Sequence, residues 1–135
     1  MGNADVAVSF SPPTLKAFAR NEAKMDLLVA NGSTTNTFWC ECELRITSPL
    51  SLAPDSELNS GRMRIGIIKP LGRNTKSVRL YTRPNNYPDD YKFNITAYFY
   101  DEDGTISERV DKDVSIACIA GEAAQTDASV PQQQV

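Results

Sequence analysis

Seven basic side chains, Arg62, Arg64, Lys69, Arg73, Lys76, Arg79 and Arg83, follow Gly61 with no acid among them, half of the chain's 14. Guanidinium groups at that density take carboxylates or phosphates through paired N–H donors. The chemistry they predict is recognition of an anion, not bond making. Residue parity sharpens the reading. Met63, Ile65, Ile67, Val78 and Leu80 form the apolar set, so Arg62 and Arg64 point away from it on one strand, and Arg79, Tyr81 and Arg83 on the next. If those strands pair in one sheet, Arg62, Arg64, Arg79, Tyr81 and Arg83 make one cationic face around an aromatic ring, with Lys69 and Arg73 at its loop. Such a face suits an anionic partner, a phosphate backbone or an acidic protein surface. The same charges also serve as protection of a sheet edge against aggregation.

Acids gather elsewhere. Asp89, Asp90, Asp101, Glu102, Asp103, Glu108, Asp111 and Asp113 crowd the C-terminal third, a segregation that steers association. Asp101-Glu102-Asp103-Gly104 has the look of a calcium-loop fragment but lacks the further ligands and the terminal bidentate glutamate, so no metal site is expected. Tyr98 and Tyr100 share a face with Asn94 and Thr96, either as a recognition surface or as cross-strand packing partners. Asn31-Gly32-Ser33 and Asn94-Ile95-Thr96 are formal glycosylation acceptors, read here as coincidence.

Histidine is absent, which rules out Ser-His-Asp and Cys-His chemistry within the chain. With no nucleophile beside a base, no glycine-rich phosphate loop and no ligand cluster, neither an enzyme nor a cofactor is expected. Cys40 and Cys42 lie two apart on a strand, with Cα atoms about 6.5–7 Å apart, at or beyond the limit for a bridge. With Cys118 they read as three buried free thiols in a reducing compartment.

The elements that must position these residues are strands. Val6, Val8 and Phe10 alternate before Ser11-Pro12-Pro13; Met25, Leu27 and Val29 alternate before Asn31-Gly32-Ser33. In Phe38–Thr47, Cys40, Cys42, Leu44 and Ile46 take the inner face, because the alternative buries Glu41, Glu43 and Arg45. Residues 48–60 read as a long connection, and Lys69–Asn74 as a turn. Tyr91, Phe93, Ile95, Ala97 and Phe99 give the cleanest alternation, Asp101–Gly104 a hairpin loop, and Val114, Ile116 and Cys118 the last strand. Leu15–Lys24 is the best helix candidate, and its periodicity is weak. About seven strands at this spacing predict an all-β, immunoglobulin-like antiparallel sandwich of two sheets. Residues 5–120 would form that domain, 1–4 a flexible N-terminus and 121–135 a disordered tail rich in Ala, Gln and Ser.

Asp89-Asp90-Tyr91-Lys92-Phe93 resembles a tyrosine corner, in which the tyrosine hydroxyl bonds back to the preceding turn. Phe93 stands where antibody domains carry cysteine, and Trp39 has the wrong parity for their buried tryptophan. The chain is more similar to the adhesion-type immunoglobulin-like domains of the CARDB family. Val8-Ser9-Phe10-Ser11-Pro12, the stretch Met25 to Ser33, and Tyr87-Pro88 through Tyr98 with Glu108-Arg109-Val110 carry the likeness. The resemblance implies a sandwich fold and an accessory binding or spacer role, in a family many of whose members are extracellular.

The expected function is a non-catalytic interaction module with an unidentified protein partner. A structural or adhesive domain of a secreted or cell-surface protein is the alternative, and nucleic-acid binding ranks below both. Membrane insertion is not expected, since no apolar run approaches the roughly 18 residues of a spanning helix. Nor does Met1-Gly2-Asn3-Ala4-Asp5 resemble a signal peptide, so a cytoplasmic location is expected, or an extracellular one if a signal has been removed. The oligomeric expectation is a monomer or weak homo-oligomer.

Overall fold

The computed structural model describes residues 4–120. The expectations for residues 1–3 and for the tail from 121 lie outside the described residues. Alternating apolar side chains make eight strands: β1 Asp5–Ser11, β2 Thr14–Lys16, β3 Asn21–Ala30, β4 Phe38–Arg45, β5 Ser60–Ile68, β6 Arg73–Thr82, β7 Asp89–Tyr100 and β8 Ile106–Ile119. The stretch Leu15–Lys24 goes to β2 and the start of β3, not to a helix.

The strands build two sheets, ordered β1-β3-β6 and β2-β8-β7-β4-β5. All pairings are antiparallel except β2 with β8. The fold is the immunoglobulin-like sandwich that the strand spacing predicts. The core lies between the sheets: Met25, Leu27 and Leu80 from one side meet Cys40, Leu44, Ile95 and Phe99 from the other, all buried. Phe38 and Phe99 pack edge to face, 5.9 Å apart, and Phe10 meets Phe93 at 6.2 Å. Phe93 and Cys118 join the core as the alternation demands, and Cys40, Cys42 and Cys118 are buried free thiols. Burial pushes the Cys118 thiol up, away from the reactive thiolate.

Tyr91 forms the corner expected of it: its hydroxyl donates to the carbonyl of Tyr87. Gly104 takes the left-handed position of the β7–β8 hairpin, φ 79°, and its N–H donates to Asp101 O at 3.0 Å. The Asp101 carboxylate is used within the same loop, accepting from the N–H groups of Asp103 (2.9 Å) and Thr105 (3.1 Å).

One pairing departs from expectation and changes the site. β5 does not pair with β6: it forms a hairpin with β4, while β6 pairs with β3 in the other sheet. The turn of residues 69–72 carries the chain across. Its Leu71 N–H donates to Ser33 O and its Gly72 O accepts from Asn31 N–H, both at 2.9 Å. These bonds deliver β6 to the end of β3.

Candidate binding face

The outer face of the five-stranded sheet is where chemistry-bearing side chains converge. β4 supplies Trp39, Glu41, Glu43 and Arg45 by the parity that buries its cysteines. β7 sets Tyr100 beside Trp39, Tyr98 beside Glu41 and Thr96 beside Glu43. On the flanks, β5 places Arg64 opposite Glu41 and Arg62 opposite Glu43, while β8 places Arg109 opposite Tyr98 and Asp111 opposite Thr96.

Two bulges complete the face. Between Arg64, opposite Glu41, and Gly66, opposite Cys40, residue Ile65 is extra, and Gly66 takes φ 102°. Parity reverses there. Ile67, which simple alternation assigns to the core, faces outward beside Trp39 and is 62% exposed, and Ile68 takes its buried place. A second irregularity at Ser107 leaves Ile106 opposite Tyr100. The result is a registered row, Ile67–Trp39–Tyr100–Ile106, across four strands.

Below that row the side chains are wired together. Glu41 accepts from Trp39 Nε1 (2.9 Å) and from Arg62 Nε (2.8 Å). Arg62 also donates from Nη2 to the Tyr100 hydroxyl at 2.7 Å. Its guanidinium lies 4.8 Å from the centroid of the Tyr98 ring, and that of Arg109 lies at 5.9 Å. Tyr98 donates to Glu43, which also pairs with Arg45 at 2.9 Å. Beneath them Thr96, fully buried, donates to Asp111 at 2.7 Å. The indole N–H of Trp39, then Arg62, hold the Glu41 carboxyl below the usual carboxylate range, and Glu41 raises Arg62 in return. The Thr96 hydroxyl, then Arg109, do the same for Asp111. Acids and bases alternate across the sheet, so no single sign of charge prevails.

The expected cationic face of Arg62, Arg64, Arg79, Tyr81 and Arg83 is therefore divided. Arg62 belongs to the network just described, and Arg64 lies on the same face opposite Glu41, free of ion pairs among the described residues. Arg79 and Tyr81 lie on β6 in the opposite sheet, where Arg79 pairs with Glu22 at 2.7 Å, and Arg83 follows the end of β6. Sequence parity sets Arg62, Arg64, Arg79 and Tyr81 on the outer side of their own strands; it does not say which strands pair. Sequence reasoning missed Ile67, Ile106 and Arg109 as binding residues, and Trp39 too, although it read that residue's outward parity. Glycine at 66, inside an apolar run, was the available signal for the first.

At one end of the sandwich a second apolar feature stands apart. Phe18 adopts φ 59° and is 59% exposed, against Tyr87, 68% exposed, at 5.8 Å edge to face.

No protein-family model and no curated protein matches the sequence. Solved structures do match its fold. The bacterial hydrophobin BslA aligns over 90% of this chain and 98% of its own, with TM-score 0.54 and 10% identity. AggA, the major subunit of aggregative adherence fimbriae type I from Escherichia coli, aligns over 90% and 97% with TM-score 0.43 and 9% identity. The sporulation control protein Spo0M of Bacillus subtilis aligns over 90% of this chain and 51% of its own, with TM-score 0.38 and 12% identity. At 10% identity the likeness to BslA concerns the fold alone.

Proposed function

We propose that this chain is a non-catalytic binding module that docks a protein partner on the outer face of its five-stranded sheet. The carrying observation is the preformed cluster of Trp39, Tyr98, Tyr100, Arg62 and Arg109. Trp, Tyr and Arg are the residue types that dominate binding energy at protein interfaces. Held by one another before contact, they lose little freedom on docking. A protein suits the face better than a nucleic acid, because Glu41, Glu43, Asp111 and Asp113 are interleaved with the arginines and repel phosphates. The resemblance to CARDB domains supports an accessory binding role, and three buried free thiols support a reducing, cytoplasmic setting.

The exposed Phe18–Tyr87 pair favours a second reading, a structural or adhesive domain that works through its tip. A backbone strained to hold a large apolar side chain in solvent is a feature found at functional sites. The fold shared with a protein described as a hydrophobin agrees with that reading.

Affinity capture followed by calorimetry with the captured protein separates the two. Trp39→Ala is expected to weaken binding by about 30-fold or more, the effect of a central aromatic anchor. Phe18→Ser should leave it unchanged. The opposite pattern would transfer the function to the tip.

A further inference from the structure

Most sheet edges in this molecule are occupied or blunted. Ser51 exchanges backbone hydrogen bonds with Tyr81 on the edge of β6, at 2.9 and 2.8 Å. The side chain of Asn74 reaches from β6 to the carbonyls of Ile65 (3.2 Å) and Ile67 (3.1 Å) on β5. The short edge strand β1 runs into Pro12-Pro13. β8 differs. It is 14 residues long, and β2 pairs only with Ala117, Cys118 and Ile119. Among the described residues, 106–116 have no strand on that side. Alternate N–H and C=O groups there are open to another strand.

The side chains along this edge are self-complementary. Glu108, Val110 and Lys112 face inward, opposite β7's Phe99, Ala97 and Ile95; Arg109 and Asp111 face outward, opposite Tyr98 and Thr96. We propose that two copies of this chain pair antiparallel along β8, about a twofold axis at Val110. In that register Val110 of one copy meets Val110 of the other. Glu108 of each copy faces Lys112 of the other, and Arg109 of each faces Asp111 of the other. Every charge from 108 to 112 meets its opposite, on both faces of the sheet. The neighbouring registers that keep both outer faces on one side set Asp111 against Asp111, or Arg109 against Arg109. Inward charges on an open edge oppose indiscriminate pairing, and here they select one partner and one register. The product is one continuous sheet running through both copies. The pairing stands whether or not the outer face binds a further protein.

Sedimentation of the full chain, from about 1 µM to 1 mM in low salt, tests it. A monomer–dimer equilibrium weakened by salt is expected. Lys112→Glu sets Glu against Glu twice and should raise the dissociation constant roughly tenfold or more. The exchange E108K/K112E should restore wild-type association, with circular dichroism confirming an unchanged fold. Arg109→Asp and the exchange R109D/D111R repeat the test on the other face, should either first variant fail to fold. A monomer at every concentration, a dimer indifferent to both single variants, or exchanges that restore nothing would each overturn the proposal.

Discussion

Glu41 accepts hydrogen bonds from an indole and a guanidinium at once, and both favour its ionised form. Its folded-state pKa therefore lies below the unfolded value. The stability this contributes is present above the ordinary carboxylate range and is lost as the pH falls through the depressed folded value. Trp39 is the chain's sole tryptophan, so its fluorescence reports the event without interference. The expected outcome is a fluorescence transition below about pH 4.3, the ordinary glutamate value, that disappears in Glu41→Gln. A transition at or above that value, or one that persists in the variant, would mean that Glu41 does not govern the indole.

The β5 bulge decides which residues reach the face, and Gly66 makes it feasible. A φ of 102° is one that residues with a Cβ rarely adopt. A Cβ built there meets Asn74 Nδ2 at 3.7 Å, an ordinary contact, so the obstacle to a larger residue is conformational rather than spatial. Gly66→Ala is expected to lower stability by about 1–3 kcal/mol in urea denaturation. An unchanged midpoint would show that the bulge relaxes freely. The same element shows what sequence can and cannot deliver. In β4 and β7 each core position alternates without interruption, so Cys40, Cys42, Leu44, Phe93 and Ile95 were legible, as were the outward Glu41, Glu43 and Tyr98. In β5 one extra residue inverted the pattern, and Ile67 was misplaced. The division of the arginines was also hidden. Whether β5 and β6 pair depends on bonds between the turn at 69–72 and the end of β3, a contact distant in sequence. The tyrosine corner, by contrast, is local, and its residues announced it.

Across the whole molecule, buried asparagines brace both ends of the sandwich. At one end Asn31 donates to the carbonyls of Asn36 (2.8 Å), Ile68 (3.1 Å) and Lys69 (3.2 Å) and accepts from Ser33 N–H (2.9 Å), tying the end of β3 to the end of β5. At the other end Asn86, fully buried, donates to Lys16 O at 2.7 Å and to Cys118 Sγ at 3.3 Å and accepts from Ala19 N–H at 3.2 Å. Its backbone carbonyl takes the Phe18 N–H at 2.7 Å. One residue thus joins β2, the β2–β3 turn, the β6–β7 connection and the end of β8, and holds the exposed tip in place. Removing its amide leaves the Ala19 N–H without a protein partner and takes one of two donors from the Lys16 carbonyl, which keeps Asn21 Nδ2 at 2.8 Å. The unpaired N–H costs about 1–3 kcal/mol where water does not replace its partner, and the lost hydrogen bond about 0.5–1.5 kcal/mol more. Asn86→Ala is expected to destabilise by about 2–4 kcal/mol in urea, whereas Asn85→Ala, at an exposed neighbour, should fall within about 0.5 kcal/mol of wild type. Amide exchange supplies the second readout. The Ala19 amide, which Asn86 protects, should exchange faster in the variant while those of Ile95 and Phe99 slow or hasten only with global stability. Equal effects at positions 85 and 86, or an Ala19 amide unmoved by the substitution, would show that the sandwich end is held by something other than this side chain.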